Sequence, residues 1–300
     1  MLAPNVGTSR RTSSTGTAIA VLKRILVAAL VVALSYVALP AAQAAKPAQP
    51  GTTSTYPSSM ASTGDSITRA FNACGGYVDC STASWSTGTD TAVPSHYQRI
   101  LAKNSAIRGK NYNDSKSGAK MTSLGAQMST AVTQKVQYVT VEMGSNDICT
   151  STESEMTSIS TYRSQLDTAL ATLKNGLPNT KVLIASIPSV YRLWEIGYTT
   201  GDALTAWNSF GICQSMLKDP TSFAQADVDR RDRVRQRNID FNTQLAEACT
   251  LYGPNCKFDG NAVFNYPFVL GQVSGWDYFH PNKAGQKVLA DVTWANGFTF

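Results

Sequence analysis

Histidine is nearly absent from this chain: only His96 and His280 occur among its 300 residues, and no C-x-x-C pair is found among its six cysteines. That scarcity removes the usual ligand sets of zinc sites. Charge is also sparse, at 15% of residues against 43% hydrophobic, which argues against a disordered or coiled-coil protein and suits one large globular domain. Acidic residues are missing altogether from the first 44 positions, where Arg10, Arg11, Lys23 and Arg24 stand. With those four set aside, 22 basic residues face 20 acidic ones, and the formal charge of +6 falls to +2. Nucleic acid is therefore excluded as a partner, for want of a basic footprint. The apolar run from Ile25 to Leu39 has fifteen residues, short of the roughly 20 that a membrane-spanning helix needs. No internal repeat of 20 to 50 residues is present.

What the first 44 residues do contain reads as an export signal. Lys23-Arg24 closes a basic segment, the apolar run follows, and Ala42-Gln43-Ala44 offers a small-x-small cleavage site. Cleavage after Ala44 is expected, with a retained signal anchor as the alternative. Arg10-Arg11 lacks the apolar residues of a twin-arginine signal, so general secretion is favoured. Residues 45–57, rich in Pro, Ser, Thr and Gly, form a flexible linker, and the folded domain spans residues 58–300. All six cysteines lie beyond the signal, and an even number in an exported chain argues for disulfides. Nearest-neighbour spacing pairs Cys74 with Cys80 and Cys249 with Cys256, leaving Cys149 with Cys213.

Strand-like and helix-like runs then alternate. Strands are expected over Met60 to Thr63, Val136 to Met143 and Val182 to Ile187. Helices are expected around Ser95 to Lys103, Glu153 to Leu173, Asp227 to Leu251 and Asn282 to Ala295, the last presenting Ala284, Val288 and Val292 on one face. Such alternation predicts a mostly parallel sheet covered on both faces, with functional residues beyond the carboxyl ends of the strands. Residues 191–224 fit neither period and read as an insertion near the site.

Three segments lie where strands should end. Gly64-Asp65-Ser66 can make a tight turn that exposes a hydroxyl. Gly144-Ser145-Asn146-Asp147 carries an amide able to donate to a developing oxyanion, although an Asn/Asp turn explains it equally well. In Asp277-Tyr278-Phe279-His280-Pro281 a carboxylate three residues before the imidazole can fix its tautomer, while Pro281 keeps His280 out of the helix that follows. The structural alternative there is an Asp helix cap beside a surface histidine. His96 has no acidic neighbour in sequence and reads as a surface or packing residue. The Asp- and Arg-rich stretch from Asp227 to Arg237 reads as a solvated helix face with internal ion pairs.

Taken together and in order, these segments resemble the SGNH, or GDSL, hydrolases, a family of esterases. Asn113 through Ser117-Gly118-Ala119 resembles that family's glycine block. The resemblance implies a three-layer α/β/α sandwich of flavodoxin-like type and a serine ester hydrolase. It implies Ser66 as nucleophile, His280 as general base, Asp277 as its orienting acid, and an oxyanion hole from the Ser66 and Gly118 amides with the Asn146 side chain. Ile67-Thr68 replaces the commoner Leu-Ser, and Ser115 stands where alanine is frequent. No cofactor and no metal are implied.

Ser84-Trp85-Ser86-Thr87-Gly88, Cys149 after Gly144-Ser-Asn-Asp-Ile, and the closing segment up to Trp294-Ala-Asn296 are similar to the phospholipase-B subgroup. That likeness favours lipid or phospholipid acyl esters, met by a secreted monomer with transient contact to a lipid surface. A carbohydrate acyl esterase and a non-catalytic secreted binding protein are the alternatives. Trp85, Trp194, Trp207, Phe210 and Trp276 are candidates for an apolar groove, with plain core packing as the other reading.

Overall fold

A computed structural model describes residues 55–300. The expected leader and most of the expected linker lie outside the described residues. Five strands, β1 (Met60–Gly64), β2 (Asn111–Asn113), β3 (Tyr138–Glu142), β4 (Lys181–Ile184) and β5 (Cys256–Phe258), form one parallel sheet in the order β2-β1-β3-β4-β5. Every residue of β1 and β3 is buried, which explains why these strands read as unbroken runs and not as alternating ones. In this order the chain leaves β1 towards one edge and β3 towards the other, opening a crevice beyond their carboxyl ends. Ser66 and Asn146 both sit at that point.

The helices are α1 (His96–Leu101), α2 (Leu124–Gln134), the single turn α3 (Ser145–Ile148), α4 (Ile159–Gly176), α5 (Val190–Gly197), α6 (Gly201–Ser209), α7 (Gln214–Leu217), α8 (Gln225–Tyr252) and α9 (Lys283–Ala295). Ser95, Ser158, Ser189 and Asn282 cap α1, α4, α5 and α9 by accepting backbone N–H groups of the first turn. One face of the sheet, with Ala61, Val139, Val141, Val182 and Ile184, packs against α2, α4 and α8. The other presents Met60, Tyr138 and Leu183 to Tyr97 and Ile100 of α1 and to Trp294 of α9. The result is the expected three-layer sandwich. Leu166, Leu170 and Leu173 of α4 are buried, and each contributes about 2 kcal/mol of transfer free energy.

Departures from the sequence reading have physical causes. Residues 153–155 form a short 3-10 turn and α4 starts at Ile159 after its serine cap. On α9 the buried stripe is Gly285, Gln286, Leu289, Ala290 and Thr293, while Ala284 is exposed. Buried polar groups decide that register: Gln286 bonds to Trp85 N–H and Ile67 C=O, and Thr293 bonds to His96. The insertion is helical, folding as α5, α6 and α7. Along α8 Arg233 and Arg235 lie outside, Arg233 in its pair with Glu153, while Arg230 and Arg237 are partly buried. Arg231, however, is buried, its guanidinium 4.4 Å from the Trp194 ring and donating to Ser222 C=O.

Disulfides join Cys74 to Cys80, Cys149 to Cys213 and Cys249 to Cys256. No described helix is long and apolar enough to cross a membrane.

His96 is a packing residue, wholly enclosed between Tyr138 Oη at 2.9 Å and Thr293 Oγ1 at 2.8 Å. Burial, with the nearby charge of Arg99, lowers its pKa from 6.5 to about 3. The unfolded chain therefore takes up a proton below pH 6.5 that the folded chain refuses, so stability present above 6.5 is lost as the pH falls towards 3. Between pH 7 and pH 5 this group should destabilise the fold by about 2 kcal/mol. Urea midpoints at the two pH values should converge by that amount in His96→Gln; an unchanged gap would show that His96 carries none of the acid sensitivity.

Candidate active site

Two glycines set the ends of the central strands. Gly64 has φ +144°, and a Cβ there would lie 2.2 Å from Glu142 C=O; Gly144 has φ +138°, and a Cβ there would lie 2.4 Å from Ile187 Cδ1. Only glycine lets the chain turn so close to its neighbours. The Gln127 amide of α2 clamps the end of β1 from both sides, donating to Gly64 C=O at 2.9 Å and accepting from Gly64 N–H at 2.7 Å.

Beyond that clamp, the Ser66 hydroxyl is 2.7 Å from His280 Nε2, and His280 Nδ1 is 2.5 Å from Asp277 Oδ2. The three side chains named from sequence thus meet in one line, although Ser66 and His280 are 214 residues apart. Asp277 Oδ1 accepts from the backbone N–H groups of Phe279 and His280. Burial pushes the Asp277 carboxyl up, yet the hydrogen bond and charge of His280 and those two N–H donors outweigh it, and the carboxyl ends below its ordinary value. Phe71 and Phe279 pack edge-on against the imidazole, each with its centroid 5.0 Å away.

Asn146 stands on α3 with its Nδ2 donating to Ala119 C=O at 3.0 Å and to Asp65 Oδ2 at 3.3 Å. Gly118 precedes Ala119 in a left-handed turn at φ +78°. Among the described residues, neither the Ser66 nor the Gly118 amide N–H has a hydrogen-bond partner. Asp65 itself is fully enclosed: burial pushes its carboxyl up to about 6 against the pull of Ile67 N–H and the His280 charge. Its neighbour Glu142, buried at the end of β3, is raised well above the usual range by burial and by the Asp65 charge. Asp65 and Glu142 thus form a pair of buried carboxyls beneath the serine turn, both raised by burial.

Residues 62–293 match the sequence profile of the GDSL-like lipase/acylhydrolase family. The chain belongs to this family of carboxylic ester hydrolases. Comparison with curated proteins finds no match. Among solved structures this GDSL hydrolase is similar to a candidate GDSL-like lipase from Parabacteroides merdae, with a TM-score of 0.50 and 17% identity over 79% of this chain and 94% of that one. It also aligns with an extracellular lipase from Streptomyces rimosus (TM-score 0.45, 17% identity, 80% and 99% covered). A catalytic mutant of an acetylxylan esterase from Geobacillus stearothermophilus aligns comparably (TM-score 0.48, 14% identity, 80% and 94% covered). The first of these likenesses speaks for the shared α/β architecture.

Next to the serine turn, with Ile67 in its wall, lies a small half-open apolar crevice of about 60 Å³, walled also by Val190, Leu193, Ile196, Phe268 and Phe279. None of the tryptophans singled out as groove candidates lines it. Trp85 and Trp207 are wholly buried and Trp194 is nearly so, each donating its indole N–H to an internal acceptor. Trp276 is half exposed and packs with Tyr77, itself against Phe210, in an open aromatic cluster next to Asp277. Three groups escaped sequence reasoning: Gln127, Gln286 and Asn72. No local pattern marks them, because each acts on a residue far away in the chain.

Proposed function

We propose that this hydrolase is a secreted esterase that cleaves lipid or phospholipid acyl esters through an acyl-enzyme on Ser66. One observation carries the reading: the unbroken hydrogen-bonded line from Ser66 Oγ through His280 to Asp277. His280 Nε2 takes the hydroxyl proton as Ser66 Oγ bonds to the ester carbonyl carbon, and Asp277 supports the imidazolium that results. The carbonyl oxygen becomes an oxyanion, received by the Ser66 and Gly118 amides and by Asn146, whose longer contact to Asp65 is the one to yield. His280 then protonates the leaving alkoxide as the ester bond breaks. Water repeats the sequence on the acyl-enzyme, releasing the acid and restoring the serine. No cofactor enters these steps.

The apolar crevice suits the first carbons of an acyl chain, since it is lined by aliphatic and phenyl groups, among them Ile67 next to the nucleophile. Tyr77, Phe210 and Trp276, each about half exposed, suit contact with a lipid surface at its rim. The segments resembling the phospholipase-B subgroup point the same way, and three disulfides suit an extracellular setting.

The test is labelling of the folded protein by a fluorophosphonate, together with initial rates on p-nitrophenyl esters from acetyl to palmitoyl and on a phospholipid. Labelling at Ser66, a rate lost in Ser66→Ala and a long-chain optimum are expected. An acetyl optimum with acetate release from acetylated xylan would replace the lipid with a carbohydrate ester. Folded protein that takes no label and turns over no ester would make it a binding protein.

A further inference from the structure

Asn72 lies six residues beyond Ser66, at the end of the turn that carries the serine. It is buried, and it holds φ +63°, a left-handed conformation that asparagine tolerates better than most residues. Its own amide N–H donates to Val78 C=O within the loop closed by Cys74–Cys80, and its C=O accepts from Ser274 Oγ. Backbone bonds thus fix it from two sides, and its side chain has one destination: Nδ2 donates to Asp277 Oδ2 at 2.7 Å, across 205 residues of sequence.

The Asp277 carboxylate has about four lone-pair positions, and the structure fills them. Phe279 N–H and His280 N–H occupy Oδ1; His280 Nδ1 and Asn72 Nδ2 occupy Oδ2. The first three donors come from within three positions of Asp277 and move with its own turn. Among the described residues, Asn72 alone ties the carboxylate to the segment that bears Ser66. The orientation of the amide is also determined, because an ionised carboxylate accepts only, so the NH₂ group must face it. The cost is visible: Asn72 Oδ1 is buried without a partner, a deficit that native structures keep when something else requires the arrangement.

Building on the serine-hydrolase reading above, we propose that Asn72 is a positioning residue for the Asp277–His280 pair. Its amide holds Oδ2 in line with the imidazole and disperses part of the carboxylate charge. Two consequences follow from the chemistry. Without the Asn72 donor the carboxylate is free to rotate about its side-chain bond, so a smaller share of molecules presents Oδ2 to Nδ1. The carboxylate is also left with one donor fewer, so its charge is less dispersed. The titratable groups facing the imidazole are Asp277 and, from the serine turn, Asp65 with Glu142 behind it; Phe71 and Phe279 cover the remaining sides. Substituting Asn72 leaves all of these in place.

Asn72→Gly removes the donor while accepting φ +63°, and Asn72→Asp keeps size and left-handed tolerance but sets a second carboxyl group against the first. With a soluble p-nitrophenyl ester, Asn72→Gly should lower kcat about tenfold to a hundredfold, as expected for one hydrogen bond to a charged acceptor. KM should be unchanged, because Asn72 does not line the crevice. Asn72→Asp should lower kcat at least as far, again without changing KM. Thermal melting of both variants, compared with wild type, reports the folded fraction. Wild-type kcat in Asn72→Gly, a rise in KM in place of a fall in kcat, or a loss that follows the folded fraction alone would overturn the proposal. Ser66→Ala run in parallel separates the two levels: if it stays active, the serine reading fails and takes this one with it, whereas an inactive Ser66→Ala beside an unaltered Asn72→Gly refutes only the role of Asn72.

Discussion

Asp277→Asn should lower kcat by about four orders of magnitude while leaving the melting temperature close to wild type. The hydrogen-bond inventory gives the reason. An amide placed at residue 277 has one oxygen and one NH₂ group. The Oδ1 position faces two backbone N–H donors and so must keep the oxygen. The NH₂ then falls at the Oδ2 position, against His280 Nδ1. Asn72 can flip and offer its unpartnered Oδ1 to the new donor, so the fold tolerates the change. His280 cannot: its Nδ1 must become an acceptor, which puts the proton on Nε2, aimed at Ser66. A protonated Nε2 cannot take the serine proton. Burst and steady-state kinetics on a p-nitrophenyl ester would measure the loss, and a variant retaining more than a tenth of wild-type turnover would remove Asp277 from the proposed mechanism.

Removing the Cys149–Cys213 disulfide by a double alanine substitution should reduce the unfolding free energy by about 4 kcal/mol on the chain-entropy account. The bond spans 64 residues, against 6 and 7 for the other two, each of which should contribute only about 2 kcal/mol. It also reaches the site. Cys149 follows the α3 turn that carries Asn146, and Cys213 begins α7, whose Ser215 donates from Oγ to Ile148 C=O and from N–H to Thr150 C=O. The insertion is therefore stapled to the loop bearing Asn146. Urea midpoints of the oxidised wild type and the double variant give the measurement; a difference no larger than that caused by removing Cys74–Cys80 would contradict the loop-length argument.

The most legible parts of the sequence were those where local chemistry and tertiary demand coincide. β1 and β3 are buried on both faces, with Gly64 closing the first and Gly144 two residues beyond the second, so apolar runs and punctuation mark them. Ser66, Asn146, Asp277 and His280 stand at strand ends and before a proline, but each segment alone also reads as an ordinary turn or cap, so it is their order along the chain that makes them stand out. β2 and β5, three residues each, read Asn-Tyr-Asn and Cys-Lys-Phe and are not fully buried, so they carry little pattern of their own. Helix α2 was obscured by its serines, threonines and Gly125. The buried face of α9 differs from its apolar stripe because Gln286 and Thr293 point inward to satisfy distant polar groups, a demand invisible in periodicity. Asn72 and Gln127 fall in the same class: their partners are set by topology, not by neighbours.

The strand order has a further consequence for how such a molecule can diversify. The proposed reacting atoms depend on β1, on the β3 end and on the turn before α9, whereas much of the crevice wall, Val190, Leu193 and Ile196, belongs to α5 in the excursion between β4 and β5. None of the bonds linking Ser66, His280, Asp277 and Asn72 passes through that excursion. Exchanging residues of α5 for those of a relative should therefore retune which acyl group is accepted while leaving the reactivity of the serine as it was, making selectivity a graftable trait of this scaffold.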